Sequence, residues 1–313
     1  MPVIRLSQFI ELLRSSSDAR HCIASGPKRR PGFGRRSGIL AASLFMASCE
    51  GTITMDLATQ APADATLQQV IAPFVGLDFQ KSDGATERLE LSDAEPLDLI
   101  ASVSGNPLRL FTDEDLPTGD YTGVRLLFDE ENTDDAFVID GLGAERTLTI
   151  TSGEYADIDF SVAEDETSSA ALTLTLDLRL SLSSNDNEEY LLEPVLRSVP
   201  TDEAGALQGA ASAACITDDA AFNEAAVYLF EGEDVTPDDH DGQGAEPYVT
   251  APVVLDTVSG GFIYALRFLP AGTYTVALAC DGDLEDPTTD EDLDFQAAEN
   301  VDIEEGETLQ QDL

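Results

Sequence analysis

The sequence predicts an all-β chain: two antiparallel β-sandwiches that follow a cleaved N-terminal leader. Three observations carry that prediction. Apolar residues alternate with polar ones at period two through several long runs, which suits half-buried strands and not amphipathic helices. Turn-forming clusters separate the runs: KSDG at Lys81, DGLG at Asp140, SSNDN at Ser183 and VSGG at Val258. One hairpin signature occurs twice, which argues for two domains of one class and not for a single large sandwich.

The leader comes first. KRRPGFGRR, from Lys28 to Arg36, precedes an apolar stretch from Gly38 to Met46, then the small residues Ala47 and Ser48, then Cys49. About nine apolar residues fall well short of the roughly 20 that span a bilayer, so this segment reads as an export signal. Met46-Ala47-Ser48-Cys49 resembles the lipobox of bacterial lipoproteins, with methionine where leucine is usual. The resemblance implies removal of residues 1–48, a diacylglyceryl group on the Cys49 thiol and a lipidated N-terminus at residues 49–50. Glu50 stands where an aspartate would imply inner-membrane retention, so the same resemblance implies the outer membrane. An ordinary secretory leader with an incidental cysteine is the alternative. Cys22 and His21 leave with the leader in both readings. Residues 1–36 are long for an n-region, and RRPGF is a weak match to a twin-arginine signal.

From Cys49 onward only eight Lys and Arg face 59 Asp and Glu, a net charge of −51. Such a charge excludes nucleic acid and anionic lipid headgroups as partners, because phosphate binding depends on Lys and Arg. The acids are interspersed with apolar residues, unlike the composition of disordered chains, so the chain is expected to fold. Two accounts of the charge stay open: an acidic surface suited to a saline habitat, or carboxylates gathered to bind cations.

The elements follow in order. GTITMDLA (Gly51 to Ala58) opens the first domain as a strand, and TLTITSGEYADIDFSV (Thr147 to Val162) alternates likewise. In ALTLTLDLRLSL (Ala171 to Leu182), Leu172, Leu174, Leu176, Leu178, Leu180 and Leu182 fall on one side of a strand. LPTGDYTGVRLLF (Leu116 to Phe128) and LPAGTYTVALACD (Leu269 to Asp281) share Leu-Pro-x-Gly-x-Tyr-Thr before an apolar strand. Proline fixes the turn, glycine supplies a positive φ, and Tyr121 and Tyr274 begin the return strands as buried rings. This pattern resembles the last hairpin of transthyretin-like and immunoglobulin-like sandwiches. The small, polar segment from Pro200 to Gly205 reads as a linker, which divides the chain into domains 51–199 and 206–313. Strands of the second domain are LQGAASAACI, AAVYLFEG, YVTAPVVLDTV, GGFIYALRFL and TYTVALAC, with VDIEEGETLQQDL closing the sheet. AAEN before Val301 reads as loop, and helix is confined to DDAAFNEAA (Asp218 to Ala226) and loop turns.

The first domain is similar to a bacterial lipoprotein domain of unknown function that follows such a lipobox. The similarity rests, in order, on GTITMDLA, VGLDFQKSDG, PLDLIASVSGNPLRLFTDEDLPTGDYTGVRLLF, LTLDLRLSL and YLLEPVLRSV, with LDLRLSL replacing a more basic form of that strand. It implies a sandwich on a lipid anchor and brings no activity with it. The C-terminal region is similar, more loosely, to carboxypeptidase-regulatory and carbohydrate-binding-like sandwiches, which implies a fold and not a ligand.

Chemistry is sparse. His240 is the only histidine after the leader, and the acids of TPDDHDGQG around it favour a charged, salt-bridged ring over a general base. No nucleophile elbow, zinc-ligand set or glycine-rich phosphate loop accompanies it. Cys215 and Cys280 are expected to form a disulfide in an exported chain, which would stabilise its domain by about 4 kcal/mol on a chain-entropy account; two buried thiols are the alternative. DGDLEDPTTDEDLDF offers Asp281, Asp283, Glu285, Asp286, Asp290 and Asp292, oxygen ligands of the kind calcium takes. The start resembles half an EF-hand loop, but its sixth and twelfth positions hold Asp286 and Asp292, so the expectation is an irregular calcium site or a solvated acidic loop. Asp238 to Asp241 with Gly242 form a second acidic loop. The lack of Trp removes the strongest platform for stacking sugars. These features predict a non-enzymatic, lipid-anchored scaffold, adhesion or interaction protein of the cell envelope, with an envelope polysaccharide or protein as partner. A carbohydrate- or calcium-binding module is the first alternative, and a carboxylate-dependent hydrolase the second.

Overall fold

The computed structural model describes residues 50–313 except 102, 104–105, 130–134, 152, 164–168, 186 and 212–223. Cys49 and the leader, together with Cys215, lie outside the described residues. The strands in chain order begin with β1 (Glu50–Gln60), β2 (Gln69–Lys81), β3 (Thr86–Asp98), β4 (Leu108–Pro117), β5 (Gly119–Phe128) and β6 (Phe137–Ile139). Next come β7 (Glu145–Ile150), β8 (Ala156–Val162), β9 (Ser169–Asp177), β10 (Leu182–Ser184), β11 (Tyr190–Leu192) and β12 (Leu196–Pro200). The last eight are β13 (Gly205–Ala210), β14 (Ala226–Glu231), β15 (Val249–Pro252), β16 (Val254–Leu255), β17 (Phe262–Leu269), β18 (Gly272–Ala279), β19 (Phe295–Ile303) and β20 (Thr308–Gln310).

The fold is all-β and built as two sandwiches. In the first, the sheet β12-β9-β1-β4 faces an eight-stranded sheet, β10-β11-β7-β6-β2-β5-β8 with β3 also paired to β2. Ile53, Met55, Leu57, Leu174 and Leu176 of one sheet pack against Val70, Phe74, Leu77, Phe79, Val124 and Leu126 of the other in a single apolar core. In the second, β16-β17-β13-β20 faces β15-β14-β18-β19, with Leu207, Tyr264 and Leu266 meeting Val227, Leu229, Val276 and Leu278. Pairing is mainly antiparallel, but β1 runs parallel to β9, β7 to β11 and β13 to β20. Strands that reach the same sheet after the chain has crossed to the other one need not reverse, and these three pairs close their sheets in that way.

Both tyrosines of the repeated hairpin are buried core rings, and each hydroxyl turns back to the chain. Tyr121 donates to the Pro117 carbonyl at 2.5 Å, and Tyr274 to the Pro270 carbonyl at 3.0 Å. The two glycines differ: Gly119 takes φ +153, whereas Gly272 has no positive φ and instead lets the Tyr274 ring approach, its missing Cβ lying 3.2 Å from that ring. Gly76 marks a bulge in β2, where a Cβ would fall 2.1 Å from the Leu89 carbonyl oxygen.

Several sequence expectations are corrected. The run from Thr147 to Val162 is two strands, since β7 ends at Ile150 and β8 begins at Ala156: β7 pairs with β6 and β11, and β8 with β5. The run from Ala171 to Leu182 ends as a strand at Asp177, because the Asp177 carboxylate takes the Arg179 N–H at 3.0 Å and the Leu182 N–H returns to the Leu178 carbonyl at 3.0 Å. Its six leucines are nonetheless all buried, the turn tucking Leu178 and Leu180 inward. AAEN is strand, the middle of β19; it pairs only with β18 at the sheet edge, where the exposed Ala298, Glu299 and Asn300 leave no apolar alternation to read. Of DDAAFNEAA, residues 218–223 lie outside the described residues and Ala226 begins β14. Between the end of β12 at Pro200 and the start of β13 at Gly205, where the sequence places the linker, the chain makes a turn, with the Thr201 N–H on the Ala171 carbonyl (2.9 Å) and the Glu203 N–H on the Pro200 carbonyl (3.0 Å).

Candidate functional site

The sheet containing β14 and β18 is apolar on both faces, which is why AVYLF and TVALA are continuous apolar runs. One face joins the sandwich core. Ala226, Tyr228, Phe230, Ala277 and Ala279 line the other and are roofed by two acidic loops, 232–248 and 280–294, whose Val235, Ala245 and Leu293 pack down onto them. A short 3-10 helix, Gly282–Leu284, lets the second loop sit close. Gly282 is buried there, and a Cβ on it would lie 2.8 Å from the Ala226 methyl.

The roof draws carboxylates inward. Glu285, 4% exposed, accepts the Tyr228 hydroxyl at 3.0 Å and the His240 backbone N–H at 3.1 Å. Asp239, 1% exposed, accepts the Glu291 backbone N–H on Oδ2 at 2.7 Å, and its Oδ1 is buried with no hydrogen-bond partner. One oxygen each of Asp239, Glu285 and Glu291 lie within 4.8 Å of one another, and Asp239, Asp241 and Asp290 form a second such group. Like charges that close repel by about 3–4 kcal/mol at an effective dielectric of ~20. Burial, with the Asp239 charge adding to it, pushes the Glu285 carboxyl up to about 7 against the opposing His240 and Tyr228 hydrogen bonds and the Arg179 charge.

Of the six acids singled out in the sequence, Glu285 and Asp290 enter these groups. The Asp281 carboxylate instead accepts the Asp294 N–H (2.7 Å), and Asp286 accepts the Thr288 N–H (3.0 Å) and hydroxyl (2.7 Å). Asp283 and Asp292 are solvent-facing. The other loop supplies Asp239 and Asp241, so the two acidic loops meet. Glu291 is the residue that sequence reasoning passed over; one acid among neighbours, it gives its backbone N–H to Asp239 while its carboxylate accepts the Asp286 N–H (3.3 Å) and the Thr289 hydroxyl. His240 Nδ1 lies 2.5 Å from Glu246 Oε2.

A second feature joins the sandwiches. Asp177, at the end of β9, is buried and accepts both the Thr250 N–H (2.6 Å) and the Thr250 hydroxyl (2.9 Å) from β15. Arg179, 2% exposed, donates through Nη1 to the Gly282 carbonyl at the foot of the acidic loop. Burial pushes the Asp177 carboxyl up, with the Thr250 hydrogen bonds and the Arg179 charge opposing. Beside the junction lies a cleft of about 570 Å³, lined from both sandwiches by Tyr155, Glu193, Arg197, His240 and Glu246. The Arg197 guanidinium stacks 5.1 Å over the Tyr248 ring at its edge.

Residues 50–194 match the model of a domain of unknown function (DUF4382), so a domain of that family is present in the first sandwich. No curated protein matches the chain in sequence. Among solved structures, the chain is similar to the Bacillus anthracis TIE protein at 12% identity and a TM-score of 0.20, over 84% of this chain and 34% of that one. A fimbrial protein from Bacteroides ovatus is similar at 10% identity and a TM-score of 0.20, over 85% and 49%. A minor pilin of Streptococcus agalactiae is similar at 12% identity and a TM-score of 0.19, over 84% and 94%. The chain thus spans 34% and 49% of the length of the first two. Among the described residues, no helix is long and apolar enough to cross a membrane.

Proposed function

We propose that the chain is a non-enzymatic scaffold or adhesion module of the cell envelope, tethered by lipid at Cys49 and carried at the bacterial outer membrane. The observation that carries this reading is the junction: Asp177 holds Thr250 by two hydrogen bonds and Arg179 holds the Gly282 carbonyl, all inside a buried contact. A module that presents a binding surface at a fixed distance from its anchor needs its domains held in fixed relation, since freely linked domains move independently. The acidic exterior suits protein or neutral polysaccharide partners and opposes binding to anionic lipid faces. A disulfide between Cys215 and Cys280 would tie the second sandwich in an oxidising compartment.

The test is metabolic labelling with an alkyne fatty acid, membrane fractionation, and binding of purified protein to whole cells and envelope polysaccharide. The expected result is label and outer-membrane recovery for the native chain, both lost in Cys49→Ser, and saturable envelope binding that weakens in Asp177→Ala. Unlabelled native protein would overturn the anchor, and absence of envelope binding would overturn the adhesion role.

A second reading, a carbohydrate-binding module, is favoured by the junction cleft, whose volume suits a small ligand and whose Tyr155, Arg197 and Glu193 combine ring, cation and acceptor. Glycan-array binding abolished by Arg197→Ala supports it; array binding unaffected by that change moves the site elsewhere.

A further inference from the structure

We infer that the two acidic loops bind one hard divalent cation, of the calcium class, between Asp239, Glu285 and Glu291, with Asp241 and Asp290 supplying oxygens on the outer side. Proximity of acids alone would not carry this. The independent observation is Asp239 Oδ1, an oxygen of a side chain only 1% exposed that has no hydrogen-bond partner although its sister Oδ2 is satisfied by the Glu291 N–H. A buried carboxylate oxygen left without a donor is costly, and a bound cation removes that cost.

The contrast with the other buried or half-buried acids points the same way. Asp78 is paired with Arg125 and Arg88, Asp56 with Arg109, and Asp140 with Arg146. None of the five loop carboxylates has a Lys or Arg ion-pair partner among the described residues. In the first sandwich those three inward acids are neutralised by arginine and Asp177 is held by its Thr250 hydrogen bonds, whereas no described carboxylate under the roof of the second forms an arginine ion pair, the nearby Arg179 guanidinium donating instead to the Gly282 carbonyl.

Ligand chemistry narrows the class. Every donor is a carboxylate, which suits a hard cation and not zinc or copper. Magnesium demands a regular octahedron and holds its water, whereas calcium takes six to eight oxygens in irregular geometry, as two loops converging from different parts of the chain provide. Bound there, the ion would pin loop 232–248 to loop 280–294. Because Gly282 of the second loop receives Arg179, the same ion would brace the junction between the sandwiches.

The test is calorimetric titration of calcium chloride, and separately magnesium chloride, into the full chain in mild detergent at high sodium chloride, which suppresses diffuse binding to the acidic surface. The expected result is one saturable calcium site with Kd of about 10⁻⁴–10⁻³ M, the range of extracellular modules, and weaker magnesium binding. Asp239→Asn and Asp290→Asn are each expected to weaken it by about tenfold or more. Asp290 is solvent-facing, so its variant tests the site even if Asp239→Asn fails to fold. Asp292→Asn, an exposed acid of the same loop outside both groups, should bind as the native chain does. No saturable heat at millimolar calcium overturns the inference, as does binding that Asp290→Asn leaves unchanged or that Asp292→Asn weakens equally.

Discussion

Asp177 in the first sandwich accepts both the backbone N–H and the side-chain hydroxyl of Thr250 in the second, at 2.6 and 2.9 Å, within a contact closed to solvent. One short side chain thereby replaces water for two polar groups across the junction and a third on its own strand end, the Arg179 N–H. Arg179 then extends the contact to Gly282. The site is placed by strand termination: β9 stops at Asp177 where the chain must turn, and the turn is what points Asp177 and Arg179 at the neighbouring sandwich.

Asp177→Ala should therefore cost more than a surface change. It strands the Thr250 N–H and hydroxyl and the Arg179 backbone N–H in a dry contact, a loss of about 1–3 kcal/mol for each donor left unpaired. Urea unfolding checks this, and limited proteolysis between Pro200 and Gly205 should quicken as the sandwiches part. A change within ~0.5 kcal/mol, the ordinary range for surface substitutions, would mean that the junction is not a stabilising contact.

Asp78 makes the acid stability of the first sandwich predictable. Burial raises its pKa, but hydrogen bonds from Tyr155 (2.7 Å) and Arg125 (2.8 Å) and the Arg88 charge outweigh burial and hold it below the ordinary 3.8. A carboxyl with a lowered folded-state pKa contributes stability above its unfolded value and loses it as pH falls through the folded value. Asp78→Asn should cost about 3 kcal/mol at pH 7, the low end for a buried pair because Arg88 is half exposed. The gap between variant and native chain should narrow below pH 3.8. Chemical denaturation across pH measures it, and a gap independent of pH would refute the assignment.

The repeated hairpin yields a paired prediction. Removing the hydroxyl in Tyr121→Phe or Tyr274→Phe deletes one hydrogen bond to a proline carbonyl four residues back and leaves the ring packing intact, as in the Tyr121 stack on Phe160 at 5.0 Å. Each should cost about 1 kcal/mol. Ultraviolet titration gives an independent readout, since burial pushes the Tyr274 hydroxyl up to about 12 and the Tyr121 hydroxyl up as well. Ionisation of both near the free-tyrosine value would contradict their burial.

Much of this architecture was legible from side-chain period. Where one face of a strand meets the core and the other meets water, as in β8 with its alternating burial, the sequence alternates and can be read. Legibility failed where that condition fails. The β14 and β18 strands are buried on both faces, so their apolar runs announce strands but hide the second, roofed face; β19 lies at an edge, and AAEN, with Ala298, Glu299 and Asn300 exposed, looks like loop. The loops were visible as acidic, yet no spacing rule tells that Glu285 turns inward beneath His240 while Asp283 faces solvent. That division depends on Gly282 settling against Ala226, a contact between residues 56 positions apart.

Gly282 accordingly offers the sharpest test of how the roof is seated. It has no positive φ, so alanine there is excluded by space and not by backbone conformation. A Cβ would sit 2.8 Å from the Ala226 Cβ and 3.4 Å from the Tyr228 hydroxyl, which is the donor to Glu285. The loop must lift from the sheet, loosening both the Tyr228–Glu285 bond and the Arg179 contact to the Gly282 carbonyl. Gly282→Ala should cost about 1–3 kcal/mol by overpacking. Gly261→Ala is the matched control, because its Cβ would meet nothing nearer than the Ser259 hydroxyl at 3.5 Å. Urea melts of the two variants should separate clearly, with Gly261→Ala within about 0.5 kcal/mol of the native chain. Equal melts would show that the acidic loop does not rest on Ala226, and the buried placement of Glu285 would fall with it.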